Sequence, residues 1–277
     1  MPTSHPTHPT ILITGSSSGM GYATACYLHA QGYRVYAGTR TPKKLTSIAS
    51  DTLTPLYLDV TDAASIAEAI EQCDPIDVLI NNAGYGLVST IEEMDEGQMR
   101  AQFDVNVFGA LRVAQAVIPQ MRLRRSGVII NISSFLGKVG LPLLTLYNAS
   151  KYALEGVTDS LRHELHPFGI RVHSVMPGFF DTQFARENLV LNPRTFAEDS
   201  PYRETVETLA PTIVDQINGG NDPEEVAELI QQILEDDTFP ARVTAGDKAA
   251  RFIPMRRELS DEDFERRVRE YYGLKDG

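Results

Sequence analysis

The stretch Ile11-Leu12-Ile13-Thr14-Gly15-Ser16-Ser17-Ser18-Gly19-Met20-Gly21 passes from an apolar strand through three glycines into a helix. Glycine lets the backbone turn sharply and come close to an anion. A helix start adds unpaired N–H groups and the positive end of the helix dipole. The turn Gly15, Ser17, Ser18, Gly19, Met20 and Gly21 is therefore a candidate phosphate cradle. Its spacing is G-x-x-x-G-x-G, not the commoner G-x-G-x-x-G. A tight strand-to-helix turn that binds nothing can carry the same letters. Its place directly after the first strand favours binding.

Outward from this turn, short apolar runs alternate with amphipathic stretches. Met20, Ala23, Tyr27 and Ala30 recur at helical spacing, and residues 62–72 read as a second helix. Tyr33–Gly38, Leu56–Asp59, Asp77–Ile80, Gly127–Ile132, Ile170–Val175 and Arg242–Ala245 read as strands. A long helix is expected from Met99 through Phe103, Val107, Ala110, Ala114 and Val117 to Met121. Ala153, Val157, Leu161 and Leu165 are expected to form the buried stripe of the next helix, and Glu224–Leu234 a later one. Strands separated by helices of about ten or more residues pair in parallel, and right-handed crossovers place helices on both faces. The expected fold is α/β: a single doubly wound parallel sheet of Rossmann type with helices on both faces. Residues 1–9 read as a flexible tail and 10–277 as one dinucleotide-binding catalytic domain. Residues 179–222 would form a substrate lid carrying Phe180, Phe184, Phe196 and Tyr202.

Composition narrows the function. The 277 residues are 42% hydrophobic and 22% charged, with a formal net charge of −12. Such a chain is poorly suited to phosphodiester backbones or anionic lipid. No apolar run reaches the ~20 residues of a membrane helix. The first ten residues lack the basic start and apolar middle of a secretory signal. Two distant cysteines, Cys26 and Cys73, fit a reducing, cytoplasmic setting.

Two further clusters suggest chemistry. Between Tyr33 and Ser50 there is no Asp or Glu, and Arg40 is the charged residue just past the second strand. An acidic residue there would favour NAD, whereas arginine can fork onto a 2′-phosphate, so NADP(H) is expected over NAD(H). Tyr147 and Lys151 are four apart on one helix face. A cation ~5 Å from a phenolate at an effective dielectric near 20 stabilises it by about 3 kcal/mol, which moves a phenol toward working range. Ser134 lies past the end of the preceding strand, on the edge where ligands bind. Asn81-Asn82-Ala83-Gly84 ends another strand there, and Asn106 lies in the long helix.

With these residues in order, the chain resembles a short-chain dehydrogenase/reductase over residues 10 to 250. Four motifs carry the resemblance: Thr14-Gly15-x-x-x-Gly19-x-Gly21, Asn81-Asn82-Ala83-Gly84, Ser134 with Tyr147-x-x-x-Lys151, and Pro177-Gly178-x-x-x-Thr182. The run from Gly140 through Phe184 resembles the 17-beta-hydroxysteroid and retinol dehydrogenase subgroup. The resemblance implies that Tyr147 exchanges a proton with the substrate oxygen and Ser134 holds that oxygen. Lys151 would lower the tyrosine pKa and bind the nicotinamide ribose. Asn106 would anchor a proton-supplying water. Asp59, with Val60, would meet the adenine. Asn82, Ala83 and Gly84 would support the cofactor, and Pro177, Gly178 and Thr182 would grip its nicotinamide side. No metal is implied. His163 and His166 read as helix-surface residues. The expected partner is a small carbonyl or alcohol substrate, with an apolar one and simple lid packing weighed evenly. The long helix and the Tyr147 helix would form a homodimer or homotetramer contact. Ser260 and the charges after it read as a capped, solvated terminal helix. Two alternatives are a non-catalytic NADP(H)-sensing regulator and a sugar epimerase or dehydratase. The joint presence of Ser134, Tyr147 and Lys151 disfavours the first, and the glycine spacing the second.

Overall fold

The computed structural model describes residues 9–274, so the expected flexible tail falls outside the described residues except for Pro9. Short Val, Ile and Leu runs form β1 (Thr10–Thr14), β2 (Arg34–Thr39), β3 (Leu53–Tyr57), β4 (Val78–Asn81), β6 (Gly127–Ile132), β7 (Ile170–Pro177) and β9 (Arg242–Ala245). They form one seven-stranded parallel sheet in the order β3-β2-β1-β4-β6-β7-β9. The order reverses between β1 and β4, which opens a crevice at the carboxyl ends of the strands.

Helices cover both faces, and β1 shows why its run is wholly apolar. Ile11 and Ile13 pack with Ala25 and Leu28 of α1 (Gly19–Ala30) and with Val226, Ile230 and Ile233 of α7 (Glu224–Glu235). Leu12 points the other way, toward Ile66 of α2 (Ala63–Glu71) and Val113 and Val117 of α4 (Ala110–Arg124). A strand buried on both sides has no polar face to show.

Four local expectations change. The third strand is β3, three residues upstream at its start, because its register is Val35↔Leu53 through Thr39↔Tyr57. Pro55 is tolerated inside it because β3 is an edge strand. Asp59 instead opens a turn, accepting from Thr61 N at 2.9 Å and Thr61 Oγ1 at 2.7 Å. The long helix is three pieces: α3 (Glu96–Phe103), a π-helical turn (Asp104–Gly109) and α4. In α5 (Thr145–Leu165) the buried residues include Asn148, Ser150, Lys151, Leu154, Glu155 and Thr158, whereas Ala153, Val157 and Leu161 are only half-buried. The helix turns its polar, site-bearing face inward.

The segment expected to be a lid is more ordered than an irregular loop. β8 (Leu189–Leu191) pairs in parallel with β5 (Gly86–Val88), and α6 (Arg203–Asn218) follows. Val206, Leu209, Ile213 and Ile217 bury one face of α6. That face joins Phe135, Phe179 and Phe252 of α8 (Gly246–Glu258), together with Phe264, Val268 and Tyr272 of α9 (Asp261–Tyr272). The terminal helix is capped by Ser260, as its sequence suggests, but it is not simply solvated.

Candidate active site

Thr14 ends β1, and its Oγ1 accepts from Asn82 N and Ala83 N, both at 3.0 Å. Asn82 Nδ2 returns bonds to Thr14 O at 2.9 Å and Gly15 O at 3.0 Å. These contacts lock the glycine turn against the end of β4. Gly15 has φ +70°, and a Cβ there would lie 2.7 Å from Ala83 Cα, so only glycine fits. Ser18 is the N-cap of α1 but its side chain makes no capping bond, so the first turn of that helix is not closed by a protein oxygen there. Ser17, Ser18, Gly19, Met20 and Gly21 thus form a cradle that fits a phosphate.

The remaining cofactor candidates border the same edge. Arg40 is exposed just past β2. Against the opposing effect of burial, hydrogen bonds from Thr61, joined by the weaker pull of the Arg40 charge, hold the Asp59 carboxyl below its usual range. Val60 is buried, and a Cβ on Gly109 would press on it. Thr182 stands 3.6 Å from where a Gly19 Cβ would sit, so the base of the lid reaches the glycine turn. Pro177 ends β7, and Gly178 N donates to Ala245 O at 2.8 Å.

Ser134 follows β6, and its Oγ accepts from Leu136 N at 3.1 Å. Tyr147 lies in the first turn of α5. Both line one pocket with Thr182, and its other walls include Leu136, Leu144, Phe179, Phe184, Leu189, Ile213 and Ile217. The rings of Tyr147 and Phe184 are 6.2 Å apart. Lys151 is buried; its Nζ donates to Ile132 O at 2.8 Å and lies 5.6 Å from the centre of the Tyr147 ring. A Cβ on Gly84 would sit 3.8 Å from that Nζ and 3.2 Å from Asn106 Oδ1. Ser134, Tyr147 and Lys151 are therefore neighbours, with Gly84 and Asn106 beside them.

The electrostatics correct the expectation of a primed phenol. Burial pushes the Tyr147 phenol up to about 12, with the Ser134 hydrogen bond opposing. Burial pushes the Lys151 ammonium down to about 8, with the Glu155 carboxylate opposing. Desolvation of the phenolate outweighs the attraction that spacing alone suggests. At neutral pH the tyrosine is a phenol and the lysine is still mostly a cation.

Asn106, expected to anchor a proton-supplying water, has its side chain bonded to the Tyr85 main chain and to α5. Its Nδ2 donates to Tyr85 O at 2.9 Å and Ser150 Oγ at 3.0 Å, while Oδ1 accepts from Tyr85 N at 3.0 Å. Both amide hydrogens are used, so the side chain braces the Tyr85 loop against α5. Gln102, one turn earlier, helps through Tyr85 O at 2.7 Å and Leu87 N at 2.8 Å. The sequence reading passed over Gln102, Ser150 and Glu155. Their signal was polar side chains at the spacing of a buried face.

Comparisons with known proteins point to one family. A family model described as short chain dehydrogenase matches residues 9–190. A 3-ketodihydrosphingosine reductase of Bacteroides thetaiotaomicron is 35% identical over 270 residues, covering 96% of this chain and 98% of that protein. A short-chain dehydrogenase from Streptomyces avermitilis matches with TM-score 0.82 and 32% identity, covering 98% of this chain and 100% of the other. One from Burkholderia cenocepacia in complex with NADP matches with TM-score 0.74 and 26% identity, covering 98% of each.

Proposed function

The chain belongs to the short-chain dehydrogenase family, and we propose on that premise that it is an NADP(H)-dependent enzyme interconverting a secondary alcohol and a ketone, or a primary alcohol and an aldehyde. The observation that carries this reading is the convergence of two hydroxyls, Ser134 and Tyr147, on a pocket whose other walls are largely apolar, with the Lys151 ammonium behind the tyrosine.

In the reducing direction Tyr147, held as a phenol by burial, donates its proton to the substrate oxygen. Ser134 donates a hydrogen bond to the same oxygen as negative charge grows there. Lys151 stabilises the phenolate left behind and would hold the nicotinamide ribose hydroxyls of a bound dinucleotide. Asn106 keeps the Tyr85 loop and α5 in register, and would anchor a water linking Lys151 to solvent. The dinucleotide, when bound, supplies or takes the hydride. Gly15 to Gly21 would hold its pyrophosphate, Arg40 its 2′-phosphate, and Asp59 and Val60 its adenine. Asn82, Ala83 and Gly84 would support it, and Pro177, Gly178 and Thr182 would grip its nicotinamide side. The NADP complex of the Burkholderia relative supports the choice of dinucleotide.

The apolar walls suit a ketone carried on a long alkyl chain, a reading supported by the relative named as a 3-ketodihydrosphingosine reductase. Two free thiols, Cys26 and Cys73, fit a cytoplasmic protein, and no helix among the described residues is long and apolar enough to cross a membrane. A second copy of the chain is the expected partner.

The test is absorbance at the reduced-nicotinamide band with a panel of ketones. Long-chain ketones should turn over best, and Tyr147→Phe should keep dinucleotide binding while losing turnover by roughly 10²–10⁴-fold. Best activity on small sugars would reject the substrate class. Full turnover by Tyr147→Phe would reject the mechanism.

A further inference from the structure

One helical turn past Lys151 stands Glu155, whose side chain is only 2% exposed. Tyr147, Lys151 and Glu155 repeat every four residues and so share a face of α5. Glu155 Oε1 accepts from the Ser174 hydroxyl of β7. Its Oε2 accepts from Arg242 Nε of β9 at 2.7 Å, and Arg242 Nη2 donates to the Glu155 main-chain carbonyl at 3.1 Å. Lys138, four residues past Ser134, brings its ammonium to 3.6 Å. Arg242 also reaches Asp159 at 2.7 Å. Packing at this junction is tight. A Cβ on Gly137 would lie 3.1 Å from both Glu155 Cγ and Lys151 O.

Glu155 thus joins the helix that carries Tyr147 and Lys151 to two strands and to the turn after Ser134. A mechanical tie alone needs no charge, because apolar packing holds a helix as well as a buried ion pair does, or better. What an ionised carboxylate adds is a field on the buried ammonium of Lys151, one helical turn away on the same face of α5. Resting on the assignment of Tyr147 and Lys151 as the proton-handling pair, we propose that Glu155 is a positioning residue. It anchors α5 through Ser174, Arg242 and Lys138, and its negative charge keeps Lys151 an ammonium at neutral pH.

Burial drives Lys151 toward its neutral form, and Glu155 is the group that opposes it. The charged or titratable groups around the pair are Tyr147 and Asp159 on α5, Lys138 after the Ser134 turn, and Arg242 on β9. Ser174 on β7 is neutral. Arg242 and Lys138 hold Glu155 ionised and offset part of its field, and Lys151 feels the remainder.

The chain has six lysines, so the full-length protein labelled at lysine ¹³Cε gives a resolvable NMR titration, with Lys151 identified by its loss in Lys151→Arg. Glu155→Gln should lower the Lys151 midpoint by roughly one pH unit. Glu155→Asp, which keeps the charge, should restore most of that shift. Ser174→Ala loosens the same tie without removing charge, and should lower the melting temperature while leaving the midpoint in place. If Glu155→Gln does not fold, Lys138→Met at the more exposed rim is the second variant. It removes a cation beside the same carboxylate and should raise the midpoint. An unmoved midpoint in either folded variant overturns the proposal, as does an equal shift in Glu155→Gln and Ser174→Ala. Turnover retained by Tyr147→Phe would instead sink the assignment of the pair, so the two failures are distinguishable.

Discussion

Lys151 is held between opposing demands: burial favours the amine, whereas its place beside the phenol calls for a cation. Its pKa falls from 10.5 toward about 8 on folding. Between those values the unfolded chain binds more protons at this residue, so its contribution to stability rises with pH. Below pH 8 it is charged in both states and the burial penalty is felt in full. Lys151→Met should therefore be more stable than the natural protein at pH 7. That advantage should shrink by about 1.4 kcal/mol for each pH step as the pH rises from 8 toward 10, as urea unfolding at pH 7 and pH 9.5 would show. Carbonyl reduction should decline above pH 8 as the cation is lost. At the far end of the crevice, Arg40→Asp replaces a forked cation with an anion. Loss of a charge-assisted contact of about 1.5–3 kcal/mol predicts roughly 10–100-fold weaker NADP binding with little change for NAD, read from fluorescence titration of each. These residues were legible because their signals are local: a four-residue spacing, a strand end, a glycine turn. Glu155 was not, because its partner Arg242 lies 87 residues away. The tyrosine shift was misjudged because spacing reports attraction but not desolvation.

At the scale of elements, the π-helical turn Asp104–Gly109 explains how one stretch serves two tasks. It separates α3, which carries Gln102, from the core-packing helix α4, and it holds Asn106 against the Tyr85 loop. Gly109 closes the turn against Val60, where a Cβ would come within 2.6 Å of a stiff Val60 methyl. Gly109→Ala should cost roughly 1–3 kcal/mol by overpacking, measurable as a lower urea midpoint with an unchanged slope. A run of apolar residues at helical spacing does not reveal such a turn, because the periodicity continues across it. The stretch expected to be a lid holds α6, which continues through Pro211 with Leu209 and Ile213 buried on either side. The α5 stripe misled because site residues, not the most apolar ones, face the sheet there. The alternation of the main strands and helices, by contrast, was plain, since a strand sealed on both faces is uniformly apolar.

At the scale of the whole molecule, two of the exposed aromatic side chains lie on neighbouring elements. Phe108 is 49% exposed in the π-helical turn before α4, and Tyr152 is 46% exposed on α5. Half-buried Ala153 and Val157 lie on the same helix as Tyr152. A second copy seated on this side would cover them. Light scattering should find a dimer or tetramer, and Phe108→Asp should shift it toward monomer. With a net charge of −12 on each chain, association should tighten as salt is added.

The uniform direction of the seven strands has a practical corollary. The candidate site residues gather on one rim, and among the described residues the opposite rim carries returning connections such as Asp74–Pro75 and Asp236–Thr238, which are exposed. That side is a natural handle. A fluorophore, an affinity peptide or a tether to a solid support grafted there would leave the working rim facing outward and free to meet its reactants.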